Sequence, residues 1–106
     1  MEGEDMFNRV SRAIARVLDG QGADGPRIVN SIFFGEEDPG QLVIYLAYED
    51  SRTLASARKG GDTGRVQGAL LAALRDEGYP DRPIKIEFIS EEEVEKSGGP
   101  FKYFTH

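Results

Sequence analysis

Residues 28–48 read IVNSIFFGEEDPGQLVIYLAY, two runs of β-branched and aromatic residues around a loop of glycines, acids and a proline. Runs of this kind are typical of β-strands, and glycine and proline between them favour a turn. The segment therefore predicts a hairpin with strands at 28–34 and 42–48 and a longer loop between them.

Side chains alternate between the two faces of a strand, so each strand can be divided by its odd and even positions. In the first strand, the even positions predict a shared face for Ile28, Asn30, Ile32 and Phe34. Both faces of both strands carry apolar residues. This pattern predicts helices over one face and partial cover over the other, from the C-terminal tail or from a partner protein.

Helical patterns lie on both sides of the hairpin. Apolar residues at helical spacing predict an amphipathic helix over 6–19. After the hairpin, Asp50 is placed to cap a short helix that ends near Arg58. A stronger helix is predicted from about Thr63 to Gly78, with an apolar face formed by Val66, Ala69, Leu70, Ala73 and Leu74.

The remaining elements complete the fold. Residues 83–89 alternate between apolar and polar side chains and predict a third strand. Ser90 and Glu93 fit a capping box for one helical turn to about Lys96. The predicted order is α-β-β-α-α-β-(α), which indicates an α+β class with a small three-stranded mixed sheet, helices packed on one face, and a single domain over 1–106.

Composition limits the functions to consider. The chain has 106 residues, no cysteine and a formal net charge of -6. Without cysteine it has no disulfide framework, thiolate zinc site or cysteine nucleophile. The negative charge favours basic partners and disfavours nucleic acid over most of the surface. The acidic N-terminus and the lack of a long apolar run predict a cytoplasmic protein without a membrane partner.

Residues 58–65 read RKGGDTGR, a local concentration of positive charge in an acidic protein. Such a reversal of sign marks a candidate binding site. Its candidate residues are Arg58, Lys59, Gly61, Gly64 and Arg65. A simpler interpretation is also open, in which the glycines end one helix and Asp62 or Thr63 caps the next.

The order of elements, with Gly61-Asp62-Thr63-Gly64 between the second and third helices, resembles the bacterial type of KH-like domain. In that family a Gly-x-x-Gly loop between two helices clamps nucleic-acid backbone. The resemblance implies that Gly61 and Gly64 admit a phosphate, which Lys59 and Arg65 neutralise. Asp62 departs from this pattern, because its carboxylate would repel the phosphate.

Acidic residues form two further candidates. One is the hairpin loop with Glu36, Glu37 and Asp38, and the other is the run over 91–95. Clustered carboxylates of this kind can meet a basic patch on a partner, as in small inhibitors and immunity-type proteins. A solvated turn and a helix start favoured by the helix dipole are the alternatives.

The residues needed for catalysis and for metal binding are scarce. The single histidine, His106, is the last residue, and the usual nucleophile and base pairs are missing. No carboxylates stand at an established metal-loop spacing, so we expect no metal, no cofactor and no enzyme activity.

The sequence therefore predicts a non-enzymatic, acidic binding module that acts through a protein partner, of the inhibitor or immunity type. The alternative is an RNA- or ribosome-associated KH-like domain that uses the Lys59 to Arg65 loop. Neutralisation of that loop by Asp62, Asp76 or Glu77 would favour the protein partner. An aromatic tail, with Phe101, Tyr103 and Phe104, is expected to dock on the sheet or to form a platform with Phe33 and Tyr45.

Overall fold

The computed structural model of the chain describes residues 6–22, 25–35, 41–80 and 83–99. Its elements in chain order are α1 (Met6–Asp19), β1 (Ile28–Phe34), β2 (Leu42–Tyr48), α2 (Ser51–Lys59), α3 (Asp62–Asp76), β3 (Ile84–Ser90) and α4 (Glu91–Lys96). This order confirms the predicted α+β class. The acidic residues Glu36, Glu37 and Asp38 and the aromatic tail lie outside the described residues, so the expectations about them stay predictions.

The three strands form one mixed sheet in the order β1-β2-β3. β1 pairs antiparallel with β2, whereas β3 pairs parallel with it. A parallel neighbour requires a crossover connection, which α2 and α3 provide. We call the face that carries Leu42, Ile44 and Leu46 the inner face, and the face that carries Tyr45 and Ala47 the open face.

The main core lies between the inner face and the first three helices. α1 contributes Val10 and α3 contributes Leu70, and both side chains are fully buried. They meet buried residues of the central strand, of which Leu46 is an example. Ala69, predicted on the apolar face of α3, is instead exposed, because the side of the helix that faces the core carries Leu70, Ala73 and Leu74.

A β-bulge in β1 corrects the predicted division of its faces. The pairing with β2 shifts directly after Ile28, which leaves Val29 as an extra residue. An extra residue reverses the alternation that follows it. Ile28 therefore shares the inner face with Phe33, opposite Tyr48 and Ile44, while Ile32 lies on the open face opposite Tyr45. The predicted shared face for Ile28 and Ile32 is wrong.

Two predicted helix caps are confirmed. The Asp50 carboxylate accepts the Thr53 N–H at 2.7 Å at the start of α2. The Ser90 hydroxyl accepts the Glu93 N–H at 3.2 Å at the start of α4. Each cap satisfies a helix N–H that has no partner within the helix. None of the helices in the described ranges has the length and apolar character that a membrane crossing requires.

Candidate functional site

The glycine-rich loop is shorter than its sequence suggests. Only Gly60 and Gly61 separate α2 from α3, and Gly61 has φ 82°, in the left-handed region that glycine adopts without strain. Asp62 is the first residue of α3, and Gly64 lies within the first helical turn. Of the four residues that resemble the Gly-x-x-Gly loop, three are therefore helical.

The cations of this loop are largely engaged within the chain. Arg58 Nη2 donates a hydrogen bond to the Phe88 carbonyl oxygen at 3.1 Å. The Arg65 guanidinium forms a hydrogen-bonded ion pair with the Asp62 carboxylate. Lys59 is exposed, and no carboxylate in the described part of the chain pairs with it. Of the three cations of the loop, only Arg65 is neutralised by a carboxylate among the described residues, and Lys59 alone has neither an ion pair nor a hydrogen bond to them.

Asp62 also acts on a neighbouring phenol. The pKa of the Tyr48 hydroxyl is raised, first because the side chain is buried and second because of the negative charge on Asp62. A carboxylate that disfavours the phenolate disfavours any other anion at the same place. The Asp62 carboxylate therefore opposes a second negative charge beside Tyr48.

The other two expected neutralising acids lie at the far end of α3. Glu77 accepts a hydrogen bond from Arg12 Nε at 2.8 Å and pairs with Arg16 at 3.3 Å. Asp76 pairs with Arg16 at 3.4 Å. The hydrogen bond from Arg12 is the main reason that the pKa of Glu77 is lowered. These pairs join α1 to α3, so of the three expected acids only Asp62 pairs with a cation of the glycine-rich loop, Arg65.

A groove of about 390 Å³ lies on the open face of the sheet. We call it the open-face groove; its apolar lining comes from three strands and α4, through Ile32, Tyr45, Ala47, Ile89 and Val94. Three of these residues are buried together as a small second cluster, formed by Ala47, Ile89 and Val94. The groove lies at the small end of the range of ligand clefts, roughly 300–1,000 Å³.

Two carboxylates border the open-face groove. Glu91 and Glu95, one helical turn apart on α4, both line it. Glu91 Oε2 accepts a hydrogen bond from Asn30 Nδ2 at 3.1 Å, which connects α4 to β1. No cation among the described residues forms an ion pair with either carboxylate. The groove therefore combines an apolar floor with an acidic rim.

The acidic run of α4 has divided roles. Glu92 accepts the Ser51 N–H at 2.9 Å, and Lys96 lies 3.5 Å from its carboxylate. The hydrogen bond from Ser51 is the main reason that the pKa of Glu92 is lowered. Glu92 thus holds α4 against the start of α2. Within the run, Glu91 and Glu95 are the residues left to meet a ligand in the groove.

The two strand residues of the expected aromatic platform, Phe33 and Tyr45, do not share a face of the sheet. Phe33 lies on the inner side of β1, with its ring centroid 5.2 Å from that of Phe7. Tyr45 lies on the open face, where Phe34 approaches it edge-on at 6.2 Å. Phe33 and Tyr45 therefore face opposite sides of the sheet, and Phe34 is the aromatic neighbour that the bulge brings to Tyr45.

Among residues 6–22, 25–35, 41–80 and 83–99, no cluster of three or more histidine, cysteine, aspartate or glutamate side chains is placed to hold a metal ion. No protein-family model, curated protein or solved structure matches this chain. What the chain does is therefore inferred from the chemistry of its own surfaces.

Proposed function

We propose that the chain is a non-enzymatic cytoplasmic binding module that acts through a basic protein partner, in the manner of an inhibitor or immunity-type protein. The open-face groove supports this proposal, because it offers an apolar floor beside the carboxylates of Glu91 and Glu95. Its complement is a segment of a partner that presents apolar side chains flanked by lysine or arginine.

The distribution of charge supports a basic partner. Several cations on the helical side of the sheet are engaged in ion pairs, as Arg12, Arg16 and Arg65 are. In contrast, Glu91 and Glu95 lie at the groove without an ion pair to the described residues. The groove therefore carries two carboxylates whose charge no cation among the described residues neutralises. A field of this sign accelerates the approach of a cationic partner and orients it.

The apolar floor would provide most of the affinity. Burial of one partner side chain of the size of valine or leucine stabilises a complex by about 1.5–3 kcal/mol before the costs of association. The floor residues are held by the strands and by α4, and Val94 is already packed on Ile89 and Ala47. A floor that is formed before binding lowers the entropic cost of association.

Glu95→Lys is expected to weaken binding of a basic peptide about tenfold, because the new lysine repels the lysines of the peptide. A tenfold change in affinity corresponds to about 1.4 kcal/mol. The probe is a synthetic peptide of alternating lysine and valine, titrated by fluorescence anisotropy at low and at physiological salt. Asp19→Lys is the matched control: it makes the same charge change at an exposed residue at the end of α1. This variant should bind the peptide nearly as the natural chain does.

Equal weakening by Glu95→Lys and Asp19→Lys would show that peptide binding depends only on the net charge of the chain. The groove would then not be the binding site. A peptide in which glutamate replaces lysine should not bind. A protein captured from the native host after nuclease treatment counts as the partner only if Glu95→Lys reduces its association rate and Asp19→Lys does not.

The RNA-binding alternative depends on Lys59, the left-handed Gly61 and the N-terminus of α3. On that alternative, Asp62→Lys should strengthen binding, and Lys59→Ala with Arg65→Ala should abolish it. We expect no binding of single-stranded RNA at physiological salt, because the Asp62 carboxylate would repel a phosphate at the loop and pairs with Arg65. A filter-binding titration at two salt concentrations measures this. Salt-sensitive micromolar binding that requires Lys59 and Arg65 would replace the protein-partner proposal.

A further inference from the structure

The chain leaves α4 through a turn that lies beside the open-face groove. The Gly99 N–H donates a hydrogen bond to the Val94 carbonyl oxygen, and the Gly98 N–H donates one to the Glu95 carbonyl oxygen, both at 3.0 Å. Gly98 and Gly99 have φ 97° and 106°, in the left-handed region that ends a helix with this pattern of bonds. An apolar residue beyond such a turn frequently packs on the last helical turn. Here that turn carries Val94, so the chain beyond Gly99 starts at one wall of the groove.

The segment that follows this turn has the composition that suits the groove. Residues 100–106, which lie outside the described residues, read PFKYFTH and contain three aromatic residues, one lysine and no acid. Aromatic side chains bury large apolar areas, and a lysine can lay its stem on an apolar surface while its ammonium group reaches a charge. These are the side chains that an apolar floor with an acidic rim complements.

The groove offers matching groups along its length. Four large hydrophobic side chains are exposed among the described residues, and two of them, Ile32 (38%) and Phe34 (44%), lie on the open face of the edge strand β1. Glu91 and Glu95 stand at the α4 end. From β3 to β1 the distance is two strand spacings, about 10 Å. Seven extended residues reach at most about 25 Å, so residues 100–106 can cross the groove from α4 to β1.

We propose that residues 100–106 fold back along the open-face groove and occupy it within the same chain, with Phe101 against Val94 and Lys102 toward the carboxylates of Glu91 and Glu95. A segment joined to its site by a short turn acts at an effective concentration in the millimolar range, so even weak contacts fill the groove. A basic partner must then displace this segment. That competition rests on the proposed function, whereas the position of the segment does not.

Methyl NMR of the full chain tests where the segment lies. Ring protons of Phe101 or Phe104 should give nuclear Overhauser contacts to the methyl groups of Val94 and Ile89. Replacing both rings, by Phe101→Ser with Phe104→Ser, should abolish these contacts and shift the methyl signals. Phe7→Ser is the matched control, since it makes the same change at an exposed residue on the helical side of the sheet and should leave those signals in place.

The peptide of alternating lysine and valine measures the competition. Ending the chain at Gly99 should tighten its binding about fivefold, the change expected if the segment fills the groove in about four of every five molecules. The double serine variant should bind the peptide about as tightly as the truncated chain, and Phe7→Ser should bind it as the natural chain does. Glu95→Lys in the truncated chain acts on the peptide alone. Circular dichroism confirms that each variant is folded.

Absence of contacts from both rings to Val94 and Ile89 overturns the inference. So do folded truncated and double serine variants that bind the peptide no more tightly than the natural chain. Contacts found only between differently labelled chains would place the segment in a second copy and would also overturn it.

The same measurements separate this inference from the proposed function. A truncated chain that does not bind the peptide, while the full chain shows the methyl contacts, supports the position of the segment and overturns the basic partner. Peptide binding that requires Glu95 in the truncated chain, without methyl contacts in the full chain, does the reverse.

Discussion

Leu70→Ala is expected to lower the free energy of unfolding by about 2 to 5 kcal/mol, the range for a buried leucine truncated in a packed core. Leu70 is fully buried in α3, within the core that α1 and the inner face complete. A loss of this size removes a large share of the roughly 5–15 kcal/mol that stabilises a domain. Urea denaturation followed by circular dichroism measures it, through a lower midpoint at an unchanged slope.

The next residue of the same helix provides the control. Leu71→Ala removes the same atoms at a half-buried position and should cost clearly less. If the two variants had equal midpoints, burial would not distinguish the two positions. A midpoint of Leu70→Ala equal to that of the natural chain would show that α3 packs through another face.

Elements with strong local signals could be predicted from the sequence. The bounds of α1, β1 and β2 follow from the period of their apolar residues and from the glycines beside them. Asp50 and Ser90 could be recognised as caps because each needs only a side-chain oxygen that accepts the N–H two or three residues later in the chain. These features depend on neighbours in sequence, so no knowledge of the tertiary structure is needed.

The faces of β1 could not be predicted in the same way. The bulge at Val29 depends on how β1 pairs with β2, and its effect reaches every residue after it. Strict alternation assigned Ile28 and Ile32 to one face, whereas the pairing separates them. The exposed apolar edge was therefore hidden in the sequence, although the absence of charge in β1 was visible.

The glycine-rich loop shows a similar limit. That Asp62 opposes a phosphate could be predicted from its charge and position alone. The hydrogen bond from Arg58 to the carbonyl of Phe88 could not, because it joins residues 30 positions apart through the packing of α2 on β3. A guanidinium donor that seems available in the sequence can thus be engaged in the fold, although Arg58 keeps its positive charge.

The open-face groove depends on the sheet order. Apolar residues on both faces of the hairpin predicted partial cover of the second face by the C-terminal tail or by a partner protein. Among the described residues, α4 covers part of this face through Val94. The walls of the groove come from β1, β2, β3 and α4 together. Only the tertiary structure shows that Val94 of α4 packs beside Ala47 and that Glu95 stands at the rim. The acidic run was visible in the sequence, but the division between Glu92 and Glu95 was not.

Gly35→Ala is expected to be strongly destabilising for two separate reasons. Gly35 has φ 81°, and an alanine in this left-handed region costs about 1–2 kcal/mol. Its Cβ would also overlap the carbonyl oxygen of Gln41, a backbone atom with little freedom to move. Overpacking of this kind adds about 1–3 kcal/mol. The overlap lies where β1 ends and β2 begins, so the loss should appear both in the free energy of unfolding and in amide protection along β1.

Gly25→Ala separates the two causes. Gly25 has φ 85°, so its replacement carries the same backbone strain, but a Cβ there would meet no atom within 4 Å. Gly25→Ala should therefore be destabilised by the backbone strain alone. The difference between the two variants in the free energy of unfolding, measured by chemical denaturation, gives the cost of the overlap at Gln41. Equal losses would mean that the ends of β1 and β2 separate at little cost.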